Sequence, residues 1–381
     1  MKKSRREFLE ISLALGVAPI INSEPIQKLI DAKKDEKKLK ILILGGTSFL
    51  GPHQIAYALE RGHEVSIFTR GKTIPKIHQA LFSKVEKLVG DREDNLEALK
   101  NRKWDVVIDN SGRKTKWTED TAQLLKDQVE LYMYTSSISV YYPYTGKDFS
   151  ENRPLVTAVP ENTPEEDKPV YEYGVMKATS ELATINAFGV DRSIVVRPAL
   201  IVGPGDRTDR FPYWLARLEK GGDIIIPGQR DEVIQYIDVR DLSEWMIRLL
   251  ENKAAGIYNG SGPGFDMTTN AFVHGIHASY NSSVNYIQID DFDFLKENEI
   301  IGIQPWVIQL PQYAGMSQSE NSKAIKAGLQ FRSLSETVNA TKKWWYSEAV
   351  TQERRDNILY GEQSFMKREK DILAKWYAKK G

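Results

Sequence analysis

Short apolar segments alternate along the chain with segments in which apolar residues recur every three or four positions. The segment 40–44 is almost wholly apolar, which is typical of a parallel strand covered on both faces. A helical pattern follows at about 52–61, and strand patterns recur at 64–69, 87–89, 105–108, 131–134 and 193–196. Strands that alternate with helices form βαβ units, so the pattern predicts an α/β fold with a doubly wound parallel sheet.

The spacing becomes irregular from about Gly203, where clusters of glycine and proline such as 260–264 interrupt the apolar segments. Near the end of the chain, charged residues alternate with apolar residues at helical spacing. We therefore expect four parts: a leader and linker over 1–36, the sheet domain over 37–202, a smaller C-terminal lobe interleaved with the sheet over 203–346, and a C-terminal helix over 347–381.

Composition removes several classes of function. The chain has 381 residues, 52 Lys+Arg against 52 Asp+Glu, and no cysteine. Nucleic-acid binders normally carry a basic excess, so we expect no nucleic-acid partner. Without cysteine there are no disulfides, thiolate metal sites or thiol nucleophiles. The five histidines leave little material for a metal site, and we predict none.

The first residues resemble an export signal. Ser4-Arg5-Arg6-Glu7-Phe8-Leu9 matches the twin-arginine pattern and precedes a short, weakly apolar run at 11–21. This run is shorter than the roughly 20 residues that span a bilayer. The alternative is an accidental Arg-Arg pair before an amphipathic helix. The resemblance implies recognition by the twin-arginine export machinery, which carries folded proteins, and a periplasmic or cell-envelope location.

A glycine turn follows the first predicted strand. Gly45 permits a tight turn, and Gly51 permits close packing of the next helix, whose N-terminus would favour a pyrophosphate. The middle position of G-x-x-G-x-x-G is Ser48, which is small but not glycine. An ordinary glycine turn is the alternative. The predicted dinucleotide contacts here are Gly45, Thr47, Ser48, Phe49, Leu50 and Gly51.

The ends of the next strands indicate which dinucleotide binds. An acidic residue after the second strand normally bonds the ribose of NAD, but this chain has Thr69-Arg70-Gly71-Lys72. Arg70 can neutralise a 2′-phosphate, so the sequence predicts NAD(P) with NADP slightly favoured; an exposed basic turn is the alternative. Further expected contacts are Asp91 at the adenine, and Asn110 and Ser111 where the fourth strand ends.

Three residues suggest the chemistry. Tyr173 and Lys177 are four apart and would share one helix face, and Ser137 follows the fifth strand. A phenol has a pKa near 10 and needs a nearby ammonium to act as a base at neutral pH. Tyr173 would accept a hydroxyl proton while the hydride leaves to the cofactor, and Ser137 would hold the same oxygen.

With these motifs, the chain resembles an extended short-chain dehydrogenase/reductase of the NAD-dependent epimerase/dehydratase family over about 39–345. The resemblance implies a Rossmann-like NAD(P)-binding domain, catalytic roles for Ser137, Tyr173 and Lys177, a cofactor contact from Lys177, and Arg197 facing the nicotinamide. Family 4,6-dehydratases carry Asp-Glu after the catalytic serine or threonine. This chain has Ile138-Ser139 there, so we do not expect dehydration.

The expected function is an epimerase or oxidoreductase that acts on a carbohydrate-like hydroxyl through a keto intermediate. Export favours a tightly bound cofactor, because no nicotinamide pool refreshes it outside the cytoplasm. A carbohydrate without a nucleotide is favoured because nucleotide sugars are made and used in the cytoplasm. Arg210, Arg217, Arg240 and Arg332 could bind a diphosphate, and Trp214, Trp306 and Tyr313 could stack on a sugar face; surface or structural arginines and core aromatics are the alternatives. Two alternatives remain: a reductase or dehydrogenase with exchangeable NADP, and a binding protein on the same fold. A homodimer is a further expectation.

Overall fold

The structure, a computed structural model, describes residues 38–110, 112–147, 149–362 and 364–381. The export motif at 4–9 and Ser111 lie outside the described residues. The strands are β1 Lys40–Leu44, β2 Glu64–Thr69, β3 Glu86–Val89, β4 Val106–Asp109, β5 Leu131–Thr135, β6 Ser193–Pro198, β7 Leu200–Val202, β8 Gly222–Pro227, β9 Val233–Asp238, β10 Gly256–Gly260, β11 Gly262–Thr268, β12 Val284–Ile289, β13 Gly302–Ile303 and β14 Trp306–Val307.

The helices lie between these strands and at the end of the chain. They are α1 Leu50–Glu60, α2 Thr115–Leu125, α3 Lys168–Phe188, α4 Arg210–Lys220, α5 Val239–Glu251, α6 Thr269–His277, α7 Phe292–Glu297, α8 Ser322–Lys326, α9 Leu334–Trp345, α10 Gln352–Tyr360 and α11 Phe365–Lys380. None of the helices in the described part of the chain is long and apolar enough to cross a membrane.

A seven-stranded parallel sheet forms the centre of the fold, in the order β10-β6-β5-β4-β1-β2-β3. The doubly wound α/β prediction is therefore confirmed. β1 lies between β2 and β4: β2 and β3 are added on one side of β1, and the sheet's strands from β4 onward on the other. The strand order therefore reverses at β1. Ligands of open α/β sheets bind at such a reversal, outside the carboxyl ends of the strands.

The apolar pattern of β1 explains how the sheet is covered. Ile41 and Ile43 pack into a core cluster on one face with helices α1 and α5, and Leu42 and Leu44 pack into a cluster on the other face with α2. Successive side chains of a strand point to opposite faces. A strand covered by helices on both sides must therefore be apolar at every position, and these four residues are fully buried.

The rest of the chain adds three small sheets, β11-β9-β7, β12-β8 and β13-β14, around a separate apolar cluster. The chain also returns to the central sheet through β10, so the two regions interleave. The single C-terminal helix expected over 347–381 is wrong. Two helices, α10 and α11, are present, and α10 ends at Tyr360, before Gly361, where a side chain would collide with the carbonyl of Asn357.

Candidate active site

The glycine turn joins the carboxyl end of β1 to the N-terminus of α1. Gly45 and Gly46 have φ of 106° and 84°, which glycine adopts without strain. A Cβ on Gly51 would lie 2.3 Å from the backbone of Gly46, so the helix start sits directly against the turn. This close packing places the N-terminus of α1, the positive end of the helix dipole, at the crevice, where it favours an anion.

The other predicted residues of the turn differ in exposure. Thr47 and Phe49 are half-buried, Leu50 is buried, and Ser48 is exposed. Arg207, in the segment after β7, donates from Nη1 to Ser48 Oγ at 3.1 Å. A cation therefore lies against the glycine turn, a contact that the sequence pattern did not indicate.

Arg70 and Asp91 lie where β2 and β3 end. Arg70 is exposed, beside Gly71, whose N–H donates to Thr69 Oγ1 at 3.1 Å. Asp91 is half-buried and forms a tight turn with Asn95, and its Oδ1 accepts the N–H of Glu93 at 3.0 Å. Both side chains border the sheet edge where the adenosine half of a dinucleotide binds in this fold.

Asn110 follows β4 at the carboxyl edge of the sheet. Its Oδ1 accepts from Thr135 Oγ1 at 2.8 Å, and its Nδ2 donates to Gln54 Oε1 at 2.6 Å. These bonds tie the ends of β4 and β5 to helix α1. Gly112 lies close by, and a Cβ there would be 2.4 Å from the hydroxyl of Tyr134.

Ser137 lies at the end of β5, where a short 3-10 turn, Ile138–Tyr141, begins. Its Oγ accepts the N–H of Ser139 at 3.1 Å and donates to Ser139 Oγ at 3.0 Å. The hydroxyl therefore caps the turn, which packs against helix α3.

Tyr173 and Lys177 both lie on α3, as their spacing predicts. Gly174 allows this helix to approach the Ser137 turn, because a Cβ there would be 2.5 Å from the carbonyl of Ser139. Tyr173 is 45% exposed. Partial burial raises the pKa of Tyr173, and the nearby hydroxyl of Ser137 and the cations Arg210 and Arg113 oppose that rise.

Lys177 is buried behind Tyr173. Its Nζ donates to the carbonyl of Thr135 at 2.8 Å and lies 5.9 Å from the Tyr173 ring and 5.1 Å from the Tyr134 ring. Burial lowers the pKa of Lys177 to about 8, although the carboxylates of Asp109 and Glu181 favour the charged form. The structure thus brings Ser137, Tyr173 and Lys177 together at one edge of the sheet.

Arg197 does not reach the crevice with its side chain. The guanidinium is 1% exposed and donates to Glu181, from Nη2 at 2.6 Å and from Nε at 2.9 Å. Its Nη1 donates to the hydroxyl of Tyr141 at 2.7 Å. The geometry therefore does not support the expected contact of this side chain with the nicotinamide, because the buried carboxylate of Glu181 holds the guanidinium inside.

Two acidic residues near Lys177 were missed by the motif analysis. Glu181 follows Lys177 by one helical turn, a spacing that signals a shared face. Asp109 ends β4 and accepts from Arg92 Nη2 and from Tyr132 Oη, each at 2.8 Å. The sequence signal for Asp109 is a charged residue at the end of an otherwise apolar strand, which indicates a buried carboxylate with partners.

Of the arginines and aromatic residues considered for substrate contacts, Arg210 lies near Tyr173 and favours its ionised form. The hydrogen bonds of Arg210 go to neutral groups, from Nε to Thr208 Oγ1 at 2.8 Å and from Nη1 to Gln304 Oε1 at 2.7 Å, and the carboxylate of Asp206 is a charged neighbour. The other candidates serve the fold. Arg217, Arg240 and Arg332 pair with carboxylates, and Trp214 and Trp306 are fully buried.

The residues present fit a dinucleotide. A side chain at Gly51 would collide with the backbone of Gly46, and one at Gly46 would lie 2.8 Å from Ile67, so the tight turn that a pyrophosphate needs depends on both glycines. The positive end of the α1 dipole lies at this turn, Arg207 adds a cation beside Ser48, and Ser137 follows β5, the strand next to the one that precedes Asn110. This is the arrangement that a Rossmann crevice uses to hold a pyrophosphate at one end and a nicotinamide at the other.

Comparison with known proteins agrees with this geometry. A family model described as the NAD dependent epimerase/dehydratase family matches residues 41–260. A curated relative, the chloroplast stem-loop binding protein of 41 kDa b from Arabidopsis thaliana, is 29% identical over 253 residues, 63% of this chain. The match spans 62% of that relative's own length.

Solved structures are similar in fold at low sequence identity. The UDP-N-acetylglucosamine 4-epimerase of Methanobrevibacter ruminantium, solved with UDP-N-acetylmuramic acid, has a TM-score of 0.58 at 18% identity, over 81% of this chain and 98% of that one. The human epimerase family protein SDR39U1, solved with NADPH, has a TM-score of 0.54 at 17% identity, over 80% and 99%. These likenesses show the fold.

Proposed function

Because the chain belongs to the NAD dependent epimerase/dehydratase family, we propose that it interconverts a carbohydrate-like alcohol and its keto form with a tightly held nicotinamide cofactor. The observation that carries the proposal is the Ser137–Tyr173–Lys177 set beside the glycine turn at the same sheet edge. Return of the hydride to the opposite face of the ketone would give an epimer with no net redox change.

The chain's residues manage the proton and the charge. Tyr173 accepts the hydroxyl proton of the substrate and returns it when the ketone is reduced. Ser137, whose hydroxyl lies near Tyr173, holds the oxygen from which the proton leaves. Lys177 stabilises the phenolate, since its ammonium lies 5.9 Å from the ring and is shielded from water.

The cofactor, when bound, supplies the acceptor and donor of the hydride. The residues that would hold it are Gly45, Gly51 and Ser48 at the pyrophosphate, Arg70 and Asp91 at the adenosine end, and Asn110, Ser111 and Lys177 toward the nicotinamide. Thr47, Phe49 and Leu50 complete the turn. The family name and the NADPH of the human fold relative support NAD(P) in general.

NADP is the proposed form of the cofactor. The support is Arg70, an exposed cation that directly follows β2, where NAD-specific members of this fold place an acidic residue. Lys72 adds a second exposed cation two residues later.

Dehydration is not part of the proposal. Ile138 is buried, and the Ser139 hydroxyl accepts from Ser137 Oγ, so neither position offers a carboxyl group beside Tyr173. Elimination of water needs such an acid and base in addition to the phenol.

The proposed substrate is a carbohydrate or polyol without a nucleotide. Three of the four arginines considered for a diphosphate are held by Glu369, Asp238 and Asp241. The Methanobrevibacter ruminantium relative holds UDP-N-acetylmuramic acid, and binding of such a nucleotide sugar by this chain would need cations other than these three. Arg210, whose hydrogen bonds go to neutral groups, would contact one polar or anionic substituent near the reacting carbon.

Export by the twin-arginine route is proposed on the motif at residues 4–9. Replacing Arg5 and Arg6 by lysine should leave the full-length protein in the cytoplasm, and Gly45→Val should lower both cofactor content and export. Fractionation with immunoblotting measures both effects. Export that is unaffected by the double lysine change would contradict this part of the proposal.

The deciding experiment is mass spectrometry of nucleotide released from the purified protein, followed by incubation with a panel of aldoses and cyclitols. We expect close to one nicotinamide nucleotide per chain, and an epimerised product without net reduction of the cofactor. Cofactor that exchanges freely and accumulates in reduced form would favour a dehydrogenase. Protein that neither retains a cofactor nor converts any sugar would favour a binding role.

A further inference from the structure

Glu181 lies at the centre of a buried network behind the catalytic residues. Its carboxylate is 1% exposed and accepts from Arg197 and from the hydroxyl of Ser136, the residue before Ser137. Glu181 also stands one helical turn after Lys177 on α3. One carboxylate is thereby in contact with the strand end that carries Ser137 and shares a helix face with Tyr173 and Lys177.

Arg197, the ion-pair partner of Glu181, contacts the end of the 3-10 turn that follows Ser137. Arg197 Nη1 donates to Tyr141 Oη at 2.7 Å and to the carbonyl of Glu151 at 3.1 Å, and Tyr141 Oη donates to Asn259 Oδ1 at 2.8 Å. Tyr141 closes the 3-10 turn that begins after Ser137. The Glu181–Arg197 pair therefore contacts Ser136, just before Ser137, and Tyr141, the last residue of the 3-10 turn that follows Ser137.

We propose that Glu181, acting through Arg197 and Ser136, is a positioning residue that fixes Ser137 and the ammonium of Lys177 relative to Tyr173. This inference rests on the proposed function, because only then do Ser137, Tyr173 and Lys177 take part in a reaction. The contacts themselves do not depend on a cofactor or substrate: the buried carboxylate of Glu181 bonds to the end of β5 and lies one helical turn after Lys177.

A second buried ion pair makes a purely structural role testable. Arg217 and Glu369 are 6% and 5% exposed, and Arg217 Nε lies 2.5 Å from Glu369 Oε2. This pair joins α4 to α11 and has no part in the catalytic set. If Glu181 only stabilised the fold, Glu181→Gln and Glu369→Gln would have the same kinds of effect.

The first readout is the titration of Lys177 itself. The groups that face its ammonium are Asp109 and Glu181, which favour the charged form, Arg92, which disfavours it, and the rings of Tyr134 and Tyr173. Loss of the charge on Glu181 should lower the Lys177 pKa by roughly half to one pH unit. Carbon-13 NMR of protein with labelled lysine Cε, assigned with Lys177→Arg, measures this without cofactor.

The second readout covers the positioning of Ser137 and survives if Glu181→Gln fails to fold. Ser136→Ala removes only the hydroxyl donor to Glu181. If Ser137 then moves away from Tyr173, its hydroxyl stabilises the phenolate less and the Tyr173 pKa rises. The matched control is Ser193→Ala, a buried serine whose hydroxyl donates to the carbonyl of Gly189 at 2.7 Å. Tyrosinate absorbance, taken as the difference from Tyr173→Phe, follows the ionisation.

The expected result is a lower Lys177 pKa in Glu181→Gln and a higher Tyr173 pKa in Ser136→Ala, with neither shift in Glu369→Gln or Ser193→Ala. Arg197→Lys, which keeps the positive charge beside Glu181, should titrate much like the parent. Variants that melt at lower temperature but titrate like the parent would overturn the proposal. Absence of a bound nucleotide and of turnover in the parent would instead overturn the proposed function, because both titrations run on the cofactor-free protein.

Discussion

Buried ion pairs have different surroundings in the sheet region, Leu39–Val202, and in the C-terminal region, Gly203–Gly381. In the sheet region, Asp109 pairs with Arg92 and Glu181 with Arg197, and both carboxylates act on Lys177. In the C-terminal region, such pairs join elements far apart in the chain, as Arg217 and Glu369 do.

This difference follows from what covers each charge. The sheet is closed on both faces by apolar side chains, so charged groups gather where its strands end, at the edge that forms the site. The C-terminal region has small separate sheets in place of one continuous sheet, and buried ion pairs such as Arg217–Glu369 join its helices. Removing a charge should therefore change titration and turnover in the first region, and stability alone in the second.

The largest effect should come from Tyr173→Phe. Loss of the phenol removes the acid–base group, so turnover should fall by about 10²- to 10⁴-fold. Melting temperature and cofactor content should match the parent, because the hydroxyl is at the surface of the crevice. Conversion of the sugar identified with the parent, followed by chromatography, is the measurement. Tyr171→Phe is the control, a neighbouring ring packed 4.6 Å from Tyr142. Near-parental turnover in Tyr173→Phe would refute its role.

Glu369→Gln tests whether a buried ion pair of the C-terminal region affects stability alone. It leaves the buried Arg217 without its carboxylate, and the free energy of unfolding should fall by about 3–5 kcal/mol. Chemical denaturation measures the loss, and cofactor content should be unchanged. The double change Arg217→Met with Glu369→Leu should recover most of the stability, because it removes both charges. A Glu369→Gln protein that stays as stable as the parent, or that loses cofactor, would break the division between the regions.

The same division separates what the sequence could predict from what it could not. The strands of the sheet follow from apolar runs, and Tyr173 and Lys177 from a four-residue spacing within one helix. Glu181 has the same local spacing, but its role depends on Arg197, which reaches it from β6. Arg217 and Glu369 are 152 positions apart, and only tertiary packing brings them together. The break at Gly361 was likewise hidden by a continuous helical pattern of charges on either side.

Arg70→Ala should sharpen the cofactor assignment at the edge of the sheet region. A charge-assisted contact to phosphate contributes about 1.5–3 kcal/mol, so NADP affinity should fall by roughly 10- to 150-fold, with a smaller effect on NAD. Fluorescence titration of cofactor-stripped protein with each nucleotide measures the ratio. Lys84→Ala, at a basic residue that ends a 3-10 turn, should leave the ratio unchanged. Equal losses for both nucleotides would contradict the NADP preference.

The smallest effect concerns the pH dependence of stability, through Lys177. Its folded pKa is about 8 because of burial, against an ordinary value of 10.5. Between these values the unfolded chain binds the proton and the folded protein does not, so this group makes the unfolding free energy rise with pH, and the contribution is lost below the folded pKa. In Lys177→Met the contribution is absent. The stability of the parent relative to Lys177→Met should therefore increase by up to about 1 kcal/mol per pH unit from about pH 8 to about pH 10. Denaturation curves of both proteins at each pH give the difference, and carrying Tyr173→Phe in both removes the tyrosine whose ionisation Lys177 affects. A difference that stays constant would mean that Lys177 titrates normally, and that the carboxylates of Asp109 and Glu181 outweigh its burial.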